Sequence, residues 1–156
     1  MTGEPSLTDE QQERRRAFFR RHWTEGVAFN RTLGVRVLRW DPDGVELELP
    51  YSDDYSAHDG VLHGGAVAAL VDTAGAGAVM AGHDFDKGSR LTTISLSINF
   101  LSGATGPSIV AEARCTRRGR TTHYAEVVVS TADGRRVAQG IAAYSVVGER
   151  PGLPDP

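Results

Sequence analysis

The stretch from His63 to Ala81, HGGAVAALVDTAGAGAVMA, constrains the fold more than any other part of the chain. As a helix it is apolar on nearly every side, so it has to be buried on most sides. A membrane span is disfavoured because Asp72 interrupts the run, its length is marginal and glycines dilute its hydrophobicity. The soluble solution is a sheet that curves around the helix. Gly75 and Gly77 each cost about 1 kcal/mol against alanine in a helix, so close backbone packing is needed to compensate.

The rest of the chain supplies such a sheet. Leu33–Trp40 and Val45–Leu49 read as a hairpin across Asp41-Pro42-Asp43-Gly44, with Val45, Leu47 and Leu49 alternating against Glu46 and Glu48. Pro50–Gly60 reads as a loop. After the apolar helix, Thr92–Phe100, Ile109–Arg117, His123–Thr131 and Val137–Val147 form a meander broken at Arg118-Gly119-Arg120 and Asp133-Gly134. In the first of these, Ile94, Leu96, Ile98 and Phe100 alternate with Thr93, Ser95, Ser97 and Asn99. Ahead of all this, Thr8–Trp23 predicts a helix capped at Thr8 or Asp9. Its arginines, Arg14, Arg15, Arg16, Arg20 and Arg21, read as a solvated face rather than an anion-binding patch. The expected organisation is α+β: an N-terminal helical extension (1–30), one domain of curved antiparallel sheet around a central helix (31–148), and a loose proline-containing tail (149–156).

At 156 residues the chain is long enough for one core. A net charge of −3 lacks the basic field that nucleic acid requires. The single cysteine, Cys115, cannot form an intrachain disulfide, and Met1–Glu13 is too polar for a signal peptide. A cytoplasmic protein is expected.

Two features carry chemistry. Asp72 places an ionisable carboxylate in an apolar helix, which is costly unless it is paired, hydrated or put to use. It serves either as a base or nucleophile, or as a packing contact to an arginine or backbone donor. His63-Gly64-Gly65 stands where loop becomes helix, leaving unpaired N–H groups at the positive end of the helix dipole. Such an end holds an anion or the oxyanion of a reacting carbonyl, or is simply a tight turn. Asp72 lies about 12 Å further along the axis than Gly64, at 1.5 Å per residue. One helix can hardly bring both to a single carbonyl, so joint action implies a second copy with its helix antiparallel. No dinucleotide fingerprint, nucleophile elbow, P-loop or metal-ligand spacing is present, and Cys115 reads as a core thiol.

The run Gly60-Val61-Leu62-His63-Gly64-Gly65, followed by Ala69-Leu70-Val71-Asp72-Thr73-Ala74, resembles the signature of hotdog-fold acyl-CoA thioesterases of the phenylacetate-degradation (PaaI-like) branch. The similarity extends to Thr92–Leu101 and to Arg117-Arg118-Gly119-Arg120, and covers about Leu33 to Val147. It implies a curved sheet around the Gly64–Ala81 helix and a homodimer, often assembled into a homotetramer. It also implies an acyl-CoA substrate; no cofactor, metal, nucleic acid or membrane partner is expected. By position, Gly64 would donate its N–H to the thioester oxygen, with His63 shaping the helix entry and Gly65 beside it. Asp72 of the facing subunit would attack the carbonyl or activate water, and Thr93 would help place that water. Arg117, Arg118 and Arg120 fall where relatives meet the phosphates of coenzyme A.

Relatives commonly carry asparagine six residues before the motif histidine, where this chain has Ala57; its neighbour His58 is the candidate substitute at the substrate site. A rival reading is a non-catalytic acyl-CoA binder or sensor on the same fold, since fold does not fix function. A hydratase of this fold is disfavoured, because no histidine follows Asp72 before His83.

Overall fold

The structure, a computed structural model, describes residues 5–148; the proline-containing tail at 149–156 lies outside the described residues. Helix α1 (Asp9–Glu25) starts at a capping box, in which Thr8 Oγ1 accepts from the Gln11 N–H and the Gln11 side chain accepts from the Thr8 N–H. A short helix, α2 (Ala28–Leu33), follows and ends at Gly34 in the left-handed conformation, φ 71°. This corrects the strand expected from Leu33, which begins instead at Arg36. Six residues are too few to show helical periodicity in sequence, and Leu33 is buried as the last residue of that helix.

Strands β1 (Arg36–Asp41) and β2 (Gly44–Pro50) form the expected hairpin. The expected loop after Pro50 contains a 3₁₀ turn and a small ribbon, β3 (Ser56–His58) against β4 (Val61–Leu62). Then come α3 (Gly64–Ala81), β5 (Arg90–Phe100), β6 (Ser108–Arg118), β7 (Thr122–Thr131) and β8 (Arg136–Val147). Among the described residues the large sheet is antiparallel with strand order β1-β2-β6-β7-β8-β5.

The sheet curves around α3, which touches all six of its strands. Val45, Leu47 and Leu49 of β2, Ile109 and Ala111 of β6, and Val127 and Val129 of β7 are buried against it. α3 is long and apolar enough to cross a membrane, but 72% of it is buried within this fold. Its remaining side is covered by α1: Phe19 stacks on Phe85 with ring centroids 5.1 Å apart, and Trp23 is buried in the same core as Leu70 and Val71. In the arginine run Arg14, Arg20 and Arg21 are exposed, Arg16 is half-buried and Arg15 is buried.

Candidate functional site

The N-terminus of α3 is built by His63. Its backbone is extended (φ −61°, ψ 139°), and its Nδ1 accepts the Gly65 N–H at 2.8 Å. That bond consumes the donor of Gly65, which the sequence had placed beside the substrate. The Gly64 N–H has no acceptor among the described residues, while Ala66 and Val67 both donate to the His63 carbonyl. Gly64 therefore presents the open donor, next to the exposed ring of Phe100 on β5.

Asp72 lies half-buried near the middle of α3, and its Oδ1 accepts from Thr93 Oγ1 at 3.0 Å. The side chains meet because of a β-bulge between Thr93 and Ser95. Thr93 pairs with Tyr144, and Leu96 with Ala142, so both face α3 despite being three residues apart. An unbroken strand would send one of them to the far face. The strict alternation expected of Ile94 is corrected accordingly: Ile94 falls at the bulge and is 56% exposed. Among the described residues no cation pairs with Asp72. Tyr144, fully buried, donates its hydroxyl to the Asp72 carbonyl oxygen at 2.9 Å. Burial and the nearby Asp72 charge both raise the Tyr144 pKa, so its hydroxyl stays protonated.

Within one chain the Gly64 donor and the Asp72 carboxylate are about 12 Å apart along the helix axis. Among the described residues β5, which carries Thr93 and is eleven residues long, is bonded only to β8 and leaves its other edge open. Its neighbourhood exposes Ile94, Leu96, Phe100 and Leu101.

The arginines part company. Arg118 donates to the carbonyl oxygens of Val79 (2.6 Å), Ala78 (3.1 Å) and Pro42 (3.4 Å). Its guanidinium thus caps the negative end of α3. The cause is the β6–β7 register: Arg118 pairs with His123, whose buried side chain marks the inner face of the sheet. Arg117, Arg118 and Arg120 are all exposed, as are His58 and Ala57 on β3, and of the three only Arg118 bonds to α3 among the described residues. The Cys115 thiol is pushed up by burial and its Sγ donates to the Arg117 carbonyl, so it is a packing group.

Sequence reasoning missed a buried histidine pair at the far end of α3. The rings of His83 and His123 lie 5.3 Å apart, edge to face. His83 Nε2 is 2.9 Å from the Gly88 carbonyl, while neither nitrogen of His123 has a partner among the described residues. Burial drives the His83 pKa down to about 4 despite that hydrogen bond, and lowers His123 as well, helped by Arg118 and Lys87. Above pH about 6.5 both histidines are neutral folded or unfolded, and stability is full. As pH falls toward about 4, only the unfolded chain accepts the protons, and stability declines, by roughly 3 kcal/mol for His83 alone. Urea midpoints at pH 7 and pH 5 should show the loss. His123→Phe should recover part of it, with a larger gain at pH 5 than at pH 7; an equal midpoint at both pH values in the parent protein would refute the assignment.

Residues 59–138 match the family described as the thioesterase superfamily. A Halobacterium salinarum protein provisionally named an esterase is 32% identical, over 73% of this chain and 81% of its own length. Acyl-coenzyme A thioesterase 13 of Homo sapiens is 28% identical, over 75% of this chain and 84% of its own. Among solved structures, a thioesterase-family protein from Silicibacter pomeroyi superposes with a TM-score of 0.77 at 27% identity, covering 85% of this chain and 98% of that one. The fold is shared with the E. coli PaaI protein from the phenylacetic acid degradation operon, with a TM-score of 0.73 at 19% identity over 85% and 94% of the two chains.

Proposed function

The chain belongs to the thioesterase superfamily, and from that premise we propose that it hydrolyses an acyl-coenzyme A thioester to free acid and coenzyme A in a site shared by two subunits. The observation that carries this reading is the Thr93–Asp72 hydrogen bond at the open sheet edge. Among the described residues this carboxylate is neutralised by no cation of its own chain; it is held by a hydroxyl on a strand whose outer edge is unpaired.

A long open edge invites pairing with another strand, and an antiparallel second copy of β5 satisfies it. In that dimer the Gly64 N–H of one subunit stands against the Asp72 of the other. The thioester oxygen accepts from the Gly64 N–H, which stabilises the negative charge as the carbonyl carbon becomes tetrahedral. Asp72, its Oδ1 fixed by Thr93, takes a proton from the attacking water or itself attacks the carbon. The C–S bond then breaks and coenzyme A leaves as the thiolate, taking up a proton; where Asp72 itself attacked, water next hydrolyses the acyl–aspartyl anhydride, releasing the acid and restoring the carboxylate. A non-catalytic binder would use the same surface without needing the carboxylate.

The direct test is thiol release from short, long and aromatic acyl-CoAs, with the dimer followed by light scattering. Release from none of them would leave the binding reading. Among the arginines, Arg117→Ala combined with Arg120→Ala should raise KM for acyl-CoA at least about fivefold, roughly 1 kcal/mol, and leave a pantetheine thioester unaffected. Arg118→Ala should instead lower stability by about 1–2 kcal/mol, by stripping the cap from α3, with KM little changed. A KM effect confined to Arg118 would reverse this division.

A further inference from the structure

We infer that Tyr144 and Trp23 form a two-sided clamp on the α3 turn that carries Asp72, and that both are positioning residues for its carboxylate. This rests on the catalytic reading of Asp72 and extends it to residues that touch neither substrate nor the reacting atoms.

Two consecutive carbonyls of α3 receive a side-chain donor in addition to the helix's own bonds. Tyr144 Oη donates to the Asp72 carbonyl at 2.9 Å from the sheet side, and Trp23 Nε1 donates to the Thr73 carbonyl at 3.0 Å from the α1 side. A carbonyl oxygen has two lone pairs, so each can take a side-chain bond without giving up its helical one. The Trp23 arm closes into a buried ring: Thr73 Oγ1 donates to Asn30 Oδ1 at 3.2 Å, and Asn30 Nδ2 donates to the Trp23 carbonyl at 2.8 Å. α1, α2 and α3 are therefore locked together at the residue after Asp72.

The Tyr144 arm is tied to the carboxylate itself. Tyr144 and Thr93 are register partners on β8 and β5. One holds the Asp72 backbone and the other its Oδ1, so a single cross-strand pair fixes the residue at both ends.

The two glycines that weaken α3 are the space the clamp requires. A methyl group on Gly75 would overlap the Tyr144 hydroxyl, and one on Gly77 would stand 3.2 Å from Trp23 Nε1 and 3.1 Å from the Trp40 ring. A helix loosened by two glycines next to its reactive residue needs such fixing, because displacement of a reacting group by about 1 Å can cost a hundredfold in rate.

Tyr144→Phe and Trp23→Phe remove the donors and keep aromatic bulk. Each should lower kcat by about tenfold or more with KM for acyl-CoA within twofold, and the affinity for free coenzyme A should be unchanged. The control is Thr131→Val, which removes a buried hydroxyl bonded within the β7–β8 turn. It should cost stability in urea without changing kcat. Should Tyr144→Phe fail to fold, Trp23→Phe decides alone. Asp72→Asn is measured alongside. If it is inactive while both clamp variants keep the parental kcat, or lose kcat only in proportion to KM, the clamp is refuted and the catalytic reading stands. If Asp72→Asn is fully active, the catalytic reading is refuted and the clamp falls with it.

Discussion

Asp72→Asn is expected to lower kcat for acyl-coenzyme A hydrolysis by roughly two to four orders of magnitude. The exchange is nearly isosteric. The asparagine oxygen can still accept from Thr93, and the carbonyl bond from Tyr144 is untouched, so fold and helix position should survive. What disappears is the negatively charged oxygen, because an amide neither accepts a proton from water at neutral pH nor attacks a thioester. Binding of a non-hydrolysable acyl-CoA analogue, followed by calorimetry, should change little. Hydrolysis at the parental rate would make the carboxylate structural and favour the binding protein.

Gly64→Pro is expected to cost roughly a hundredfold to a thousandfold in kcat, the usual loss when one oxyanion donor is removed. Proline is the residue of choice because it deletes the N–H and little else. It is tolerated at the first position of a helix, where the N–H makes no helical bond. The preceding residue must be extended, and His63 at ψ 139° already is. A side chain there meets Phe100 only at ordinary contact distance, 3.6 Å. The decisive experiment co-refolds equal amounts of Gly64→Pro and Asp72→Asn chains. In a mixed dimer with shared sites, one site has both defects and the other has none. Random pairing then restores about a quarter of the parental activity from two nearly inactive proteins. If each chain uses its own Gly64 and Asp72, mixing restores nothing, and the shared site is refuted.

The central helix was legible because its apolarity leaves no other fate: its expected range and the observed Gly64–Ala81 coincide. The meander strands were found within a residue or two for the same reason, since alternation over long runs reports one buried face. Thr93 and Asp72 were both singled out, but nothing in a strand's pattern reveals a bulge, and the bulge is what turns Thr93 toward Asp72. The contact of Arg118 with the end of α3 was not legible, because three neighbouring arginines look alike in sequence. Only the sheet register decides which one turns inward to α3. Gly75 and Gly77 signalled close packing, and the signal was sound. Its partners, Tyr144 and Trp23, lie far away in the chain and could not be read from it.

The covering of α3 also dictates when the protein can fold as it leaves the ribosome. β6, β7 and β8, which bury much of the helix, are all synthesised after it, and Tyr144, which grips Asp72, is nearly the last described residue to emerge. When it first emerges, a greasy helix has only the elements before it, chiefly α1, α2 and the first hairpin, to shelter it, and the cover from β5 to β8 follows strand by strand. Such non-local closure delays folding and leaves the nascent chain open to aggregation or chaperone capture. Chains that end before β8 should therefore accumulate as insoluble material rather than as a smaller folded core.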